Sequence, residues 1–453
     1  MLFIKKFQSF LKGLFTHEGV KRYASNTSWL FVEQVLRLVS NFLIGIYVVR
    51  YLGAEQFGIL SYVLAFSGIF ASLSKLGLDE VMVRQLVMHP ERKLRYLGTG
   101  FWLKVSSGIL SLIIIAVILP FTNNDATTNF YILLIAATIT AESFIVVESW
   151  FHSIVKAKFI SLCKISQLAL SGILKLYFIF TGADLFYFVL VHALDIISLA
   201  IFLSYAYLSQ DNKPFFRYFN VHYALSLLKA SWPLMLITVM AMIYFKIDQI
   251  IIKQLLGEAE VGVYASASRI IEAVFLIPTV ITASLFPAII NAKKIGEHVY
   301  YERLQYLFTF LIWMAISASV ILTLIAEPFM VFLFGEEFRD AGLLLAIKIW
   351  AFVVLSYGMG WSKWMYAEGR FKINVVFQAY IITVNIGLNL LLIPIYGNVG
   401  AAIASVAAIT TSYPIFALLI PSQHLSVKMF FKSLNPVEPT VQLIKWIQSK
   451  KHS

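Results

Sequence analysis

The chain has one cysteine, Cys163, in 453 residues, which excludes an intramolecular disulfide and a cysteine-based metal cluster. Charge is scarce: 13% of residues are Asp, Glu, Lys or Arg, against about 25% in ordinary soluble domains. There is no GxxxxGK[ST] phosphate loop, so no built-in ATPase is expected. No His/Cys group has metal-ligand spacing, and no cofactor is expected. No short apolar core is followed by a small-residue cleavage site, so no cleavable signal is expected. The segments between apolar runs are too short for a separate soluble domain. A membrane enzyme carrying its active site on a large outer loop is therefore not expected.

Apolar sequence is abundant. Hydrophobic residues make up 60% of the chain, 38 of them Phe, and the mean hydropathy is +0.81. A soluble domain must keep its surface polar and cannot hide this much, so lipid is the solvent for most of the chain. The net charge of +12 sits between apolar segments, not along one solvated face, which argues against nucleic acid as a partner.

A spanning helix needs about 20 apolar residues. Twelve segments qualify: 27–49, 56–78, 97–119, 127–149, 161–180 and 185–207, then 229–252, 260–280, 304–325, 341–363, 372–393 and 398–420. With the N-terminus in the cytoplasm, the inner connections carry Arg92, Lys93, Arg95, Lys156, Lys213, Lys293, Lys294 and many more. The outer ones carry only Arg50, Lys253 and Arg339. That bias fixes the expected orientation, with both termini cytoplasmic. The expected organisation is an amphipathic cytoplasmic segment over 1–26 and a six-helix bundle over 27–210. A cytoplasmic linker over 211–228, a second six-helix bundle over 229–420 and a cytoplasmic tail over 421–453 follow. "MLFIKKFQSFLKGLF" has the apolar spacing of an interfacial helix, and "TVQLIKWIQSKK" suits a short helix on the membrane surface.

An internal repeat supports the two bundles. "VVRYLGAEQFGIL" from Val48 overlays "IKQLLGEAEVGVY" from Ile252, matching Leu52 to Leu256, Gly53 to Gly257 and Gly58 to Gly262. The glycines suit a tight turn and close helix approach. An even number of spans per half makes the repeats parallel, related by an axis along the membrane normal.

Several charges lie deep in apolar runs. Glu33 and Arg37 share one helix face, Arg269 and Glu272 are three apart, Lys246 and Asp248 lie in the seventh span, and Lys75 precedes Asp79 by one turn. A charge at the bilayer centre costs about 2.5–3.5 kcal/mol on insertion scales. Such residues either tie helices together or line a wet cavity, and the two roles are compatible. For the outlying Lys104, Lys164, Lys175, Lys229 and Lys363 a structural role is favoured over a cavity-lining one, and several can snorkel to an interface. Glu142, Asp195 and Lys348 receive no role, and His192 is read as a core residue.

"NTSWLFVEQVLRLVSNFLIGIYVVRYLGAEQFGILSYVLAF" and "KIDQIIIKQLLGEAEVGVYASASRIIEAVFLIPTVITASLFPAI" resemble Wzx-type O-antigen and capsule flippases. These belong to the multidrug/oligosaccharidyl-lipid/polysaccharide exporter superfamily. The resemblance implies an all-α integral membrane protein, its 12 transmembrane helices forming two bundles around a V-shaped central cavity. It implies a bacterial inner-membrane location and transfer of undecaprenyl-diphosphate-linked oligosaccharide from the cytoplasmic to the periplasmic leaflet. For such a substrate, Arg37, Lys75, Lys246 and Arg269 are the expected diphosphate ligands, because cations replace the water the anion loses. Glu33, Asp248 and Glu272 would tune them or carry a coupled proton. A polysaccharide polymerase and a chain-length regulator are the implied protein partners, and the expected oligomeric state is a monomer. The alternatives are a lipid-linked peptidoglycan precursor flippase, a cation-coupled small-molecule antiporter, or a membrane polysaccharide polymerase or ligase.

Overall fold

A computed structural model describes residues 18–420 and 423–437. The interfacial helix expected before residue 18 and the one expected in "TVQLIKWIQSKK" lie outside the described residues. Within them all regular structure is helical, as backbone in a lipid solvent requires when its polar groups must be satisfied internally. The α-helices are α1 Glu18–Ser74, α2 Leu78–Met88, α3 Lys93–Ile118, α4 Ala126–Thr138, α5 Val146–Ser153, α6 Ala157–Phe180 and α7 Leu185–Leu208. They continue with α8 Val221–Leu256, α9 Glu258–Val274, α10 Leu276–Ala292, α11 Glu297–Phe334, α12 Ala341–Lys348, α13 Ala351–Ala367, α14 Phe371–Leu419 and α15 His424–Leu434.

Nine helical stretches of the described residues are long and apolar enough to cross a membrane. A tenth is added if α12 and α13, bent by 42° at a short break, count as one span. Two of the nine, α1 and α14, are each interrupted by a non-helical glycine, Gly53 and Gly397.

The chain divides into two compact units: Met1–Val48 with Phe66–Val239, and Val49–Ala65 with Met240–Ser453. In the first, α2, α3, α5, α6 and α7 meet around Met82, Phe101, Val147, Trp150, Phe151, Leu203 and Tyr207. In the second, α15 is not a free appendage. Its Met429 and Phe430 are buried, Gln305 of α11 donates to the Met429 carbonyl (3.2 Å) and to Ser433 Oγ (2.7 Å), and Tyr357 of α13 donates to the Ser426 carbonyl (2.6 Å).

The repeat glycines act as their sequence pattern suggests. Gly53 has φ 67° and Gly257 has φ 99°, a region open to glycine and strained for other residues. Both therefore turn the chain sharply between helical arms. Gly58 and Gly262 allow the arms after those turns to touch. A Cβ on Gly58 would overlap the Glu258 carbonyl, and one on Gly262 would overlap the Ala54 carbonyl. The contact is reciprocal, since Ala54 and Glu258 are themselves equivalent in the repeat.

Between membrane segments, Asp125 caps α4. Its carboxylate accepts from the Thr127 and Thr128 amides, each at 3.2 Å. Burial works against its ionisation, but the hydrogen bonds from Thr128 and Thr127 outweigh this and hold the carboxyl below its usual range. The cap therefore stabilises the fold above the ordinary aspartate pKa and is lost as pH falls through the lowered folded value. Asp125→Ala is expected to cost about 1 kcal/mol at neutral pH. Thermal unfolding across a pH series should show the gap to wild type closing only under acid.

Candidate functional site: buried charges in each unit

In the first unit the deep cations Arg37, Lys104, Lys164 and Lys175 are each tied to an acid. Glu33, buried on α1, accepts from Arg37 Nε one turn later at 2.7 Å, and Arg37 Nη2 stands 2.5 Å from the same carboxylate oxygen as an ion pair. Lys104 of α3 is buried and reaches Asp79 of α2 at 2.5 Å. Lys164 of α6 binds Glu148 of α5 at 2.7 Å. Lys175 of α6 lies 3.4 Å from Asp195 of α7, which also accepts from Gln167 (2.8 Å) and Ser171 (3.0 Å). Gln167, Ser171 and Lys175 are four residues apart in succession, so one face of α6 presents all three to the same carboxylate. His192 Nδ1 stands 4.0 Å from it. Lys104, Lys164 and Lys175 thus take the structural role favoured for them and do not snorkel: each meets an acid on another helix, because a charge inside a packed bundle is cheaper paired than reaching for an interface. Lys75 is a charged neighbour of Glu142, together with Lys104 and Asp79. Glu142 lies on a stretch of 3-10 helix, Ile139–Ile145, between α4 and α5.

In the second unit the charges of α8 part company. Lys246 donates to Glu272 of α9 at 2.8 Å, and Arg269 is a further cation beside the same carboxylate. Asp248 is only two residues from Lys246, but two residues turn about 200° around a helix, and it faces another way. It is 2% exposed and fully engaged. Tyr264 of α9 donates its hydroxyl to Oδ2 at 2.5 Å, Ser405 of α14 donates to Oδ2 at 2.6 Å, and Asn389 of α14 donates to Oδ1 at 2.8 Å. Lys348, the last residue of α12, completes the group. Its Nζ is 3.8 Å from Asp248 Oδ2, 2.7 Å from the Tyr264 hydroxyl and 2.8 Å from Ser268 Oγ, and it lies 4.0 Å from the centre of the Tyr264 ring. Ser405 and Asn389 come from opposite sides of the Gly397 interruption in α14, so that break brings two arms of one helix to a single carboxylate.

The structure therefore brings together Lys246, Arg269 and Glu272 as one group, and Glu33 with Arg37 as another. Asp248 belongs to neither. Sequence reading missed Tyr264, Ser405 and Asn389 and left Lys348 without a role. One signal was legible: Asn385 and Asn389, one turn apart in the apolar run "VNIGLNLLLI", are polar groups that a lipid-facing helix would not carry. A separate cavity of about 260 Å³ in this unit is lined mainly by apolar groups such as Phe245, Phe275, Leu355 and Phe377, with Thr279, Lys363 and Gln378 among them. None of the expected site residues lines it.

Long apolar helices whose charges are paired within the helix packing define a multi-pass membrane protein. The fold is that of solved transporters. It matches lipid II flippase MurJ in an inward closed conformation with a TM-score of 0.66, at 16% identity over 91% of each chain. It also matches the inward-facing conformation of a MATE family multidrug resistance transporter of the MOP superfamily with a TM-score of 0.63, at 15% identity over 90% of this chain and all of that one. The polysaccharide biosynthesis protein family model matches residues 23–293, more than half of the chain, and the chain belongs to that family. A relative is the capsular polysaccharide biosynthesis protein CapF of Staphylococcus aureus, 22% identical over 392 residues, which are 83% of this chain and 94% of that protein. The resemblance read from the sequence is borne out.

Proposed function

We propose that this protein is a flippase that carries undecaprenyl-diphosphate-linked oligosaccharide units from the cytoplasmic to the periplasmic leaflet of a bacterial inner membrane. The observation that carries the reading is the union of a polysaccharide biosynthesis family with a transporter fold. Counting the arms of α1 and α14 on either side of Gly53 and Gly397 as separate spans, and α12 with α13 as one, makes twelve. We read these as the two six-helix bundles of a monomeric, alternating-access transporter with a V-shaped cationic cavity and both termini cytoplasmic.

The chemistry suits the cargo. A polyprenyl tail can stay in lipid, whereas the diphosphate and sugars cannot enter hydrocarbon cheaply. Arg37, Lys75, Lys246 and Arg269 are the proposed head-group ligands, and Glu33 (for Arg37) and Glu272 (for Lys246 and Arg269) hold three of these cations in place until the diphosphate displaces the carboxylates. Arginine suits a phosphate through its forked donors.

Replacing Arg37 or Arg269 by Ala is expected to abolish surface polysaccharide while protein levels stay near wild type, measured by polysaccharide staining and immunoblot of the same cells. Normal export by both variants would remove the proposed site. Lysine at either position should restore export only in part, if forked geometry matters beyond charge. In liposomes, the purified protein should move a labelled lipid-linked sugar between leaflets without changing its mass. A change in mass would mark a polymerase or ligase instead.

A further inference from the structure

We propose that Asp248 and its neighbours form a monovalent-cation site whose cation is built into the chain, the ammonium of Lys348. The inference stands on geometry inside one unit and does not need the transport reading. The polar contacts of that ammonium are all oxygens, those of the Asp248 carboxylate, the Tyr264 hydroxyl and Ser268 Oγ, with the centre of the Tyr264 ring 4.0 Å away as an aromatic neighbour. A hard, all-oxygen set with a single carboxylate matches one positive charge of low valence, not a transition metal. Its elements also have the form of an ion site. Lys348 ends α12 at the break before α13, and the C-terminal end of a half-helix favours a cation.

A second observation points to a ligand. Asn389 gives its amide nitrogen to Asp248, but its Oδ1 is fully buried and has no partner, and both amide atoms of Asn385, one turn away, are in the same state. Buried amide groups left unsatisfied are costly. A rotation of the Asn389 amide would swing that oxygen toward Asp248. It would be repulsive beside the bare carboxylate and favourable once a free ion of ordinary coordination number sat between them. With Lys348 in place the position is filled, so the wild-type protein is expected to read no alkali-ion gradient at Asp248.

The test uses the purified full chain in detergent. Melting temperature is measured in NaCl and in KCl at up to about 150 mM, each against choline chloride at equal ionic strength. Wild type should show no difference among the salts. Lys348→Met should be stabilised by sodium or potassium, by at least about 1–2 °C, and the Asp248→Asn, Lys348→Met double variant should lose that response. If Lys348→Met does not yield folded protein, Lys348→Gln removes the charge while keeping a donor for Tyr264 and Ser268, and the same response is required of it. The proposal is overturned if the charge-removed variant ignores both ions, if wild type responds as strongly, or if the double variant keeps the response.

Discussion

Alanine at Gly58 or Gly262 is expected to destabilise this protein strongly, while alanine at Gly68 or Gly387 is neutral or mildly stabilising. All four glycines lie inside helices, where alanine is intrinsically the better residue by about 1 kcal/mol. Space decides the sign. At Gly68 and Gly387 an added Cβ meets nothing within 4 Å, so the propensity gain stands. At Gly58 and Gly262 it would occupy the position of a backbone carbonyl, that of Glu258 or Ala54. A carbonyl held in a helix cannot rotate away as a flexible side chain would, so the two arms must separate. Overpacking costs about 1–3 kcal/mol and sometimes more, and separation also loses the close packing on which helix association in lipid depends. Because the contact is reciprocal, each single variant should lower the melting temperature to a similar degree. The double variant should cost less than the sum, since the first methyl has already parted the helices. Unfolding monitored by intrinsic fluorescence in detergent would check this. Equal melting temperatures for Gly58→Ala and Gly68→Ala would mean the arms do not touch in solution.

Asp248→Leu is expected to be the most damaging single change among the buried charges. It removes the acceptor of three hydrogen bonds, from Tyr264, Ser405 and Asn389, and the carboxylate beside Lys348. Removing one partner of a buried ion pair typically costs about 3–5 kcal/mol, because the other charge is left without compensation. Removing both can be close to neutral. Asp248→Leu combined with Lys348→Met should therefore recover much of the loss, with a coupling energy of about 1–3 kcal/mol in a double-mutant cycle. By contrast, Arg339, exposed and bound to Glu327 and Glu336, should be replaceable with little loss of stability, because water screens an exposed ion pair. If the Asp248→Leu and Arg339→Ala variants melt together, the buried group is not the tie its geometry indicates.

Much of the architecture is legible in the order of residues alone. Apolar run length locates each long helix, since the requirement for about 20 apolar residues is local. The Gly53/Gly257 and Gly58/Gly262 matches locate a turn and a close approach that the backbone carries out. Other features are not legible there. Val49–Ala65 belongs to the same compact unit as Met240–Ser453, from which it is far removed along the chain. The contact at Gly58 and Gly262 lies inside that unit, and the glycine match by itself does not say that the two copies touch each other. Lys104, Lys164 and Lys175 look alike in sequence to any snorkelling lysine, and only the packing supplies Asp79, Glu148 and Asp195 as their partners.

By itself the sequence determined the solvent, the helical class, the places where the chain turns and the family. Each of these depends on the chemistry of neighbouring residues or on a repeat within the chain. Only the tertiary structure decided which carboxylate each buried cation meets. Lys246 goes to Glu272 and Lys348 to Asp248, because those partners come from different helices and a side chain's direction around its own axis does not name the helix that will pack against it.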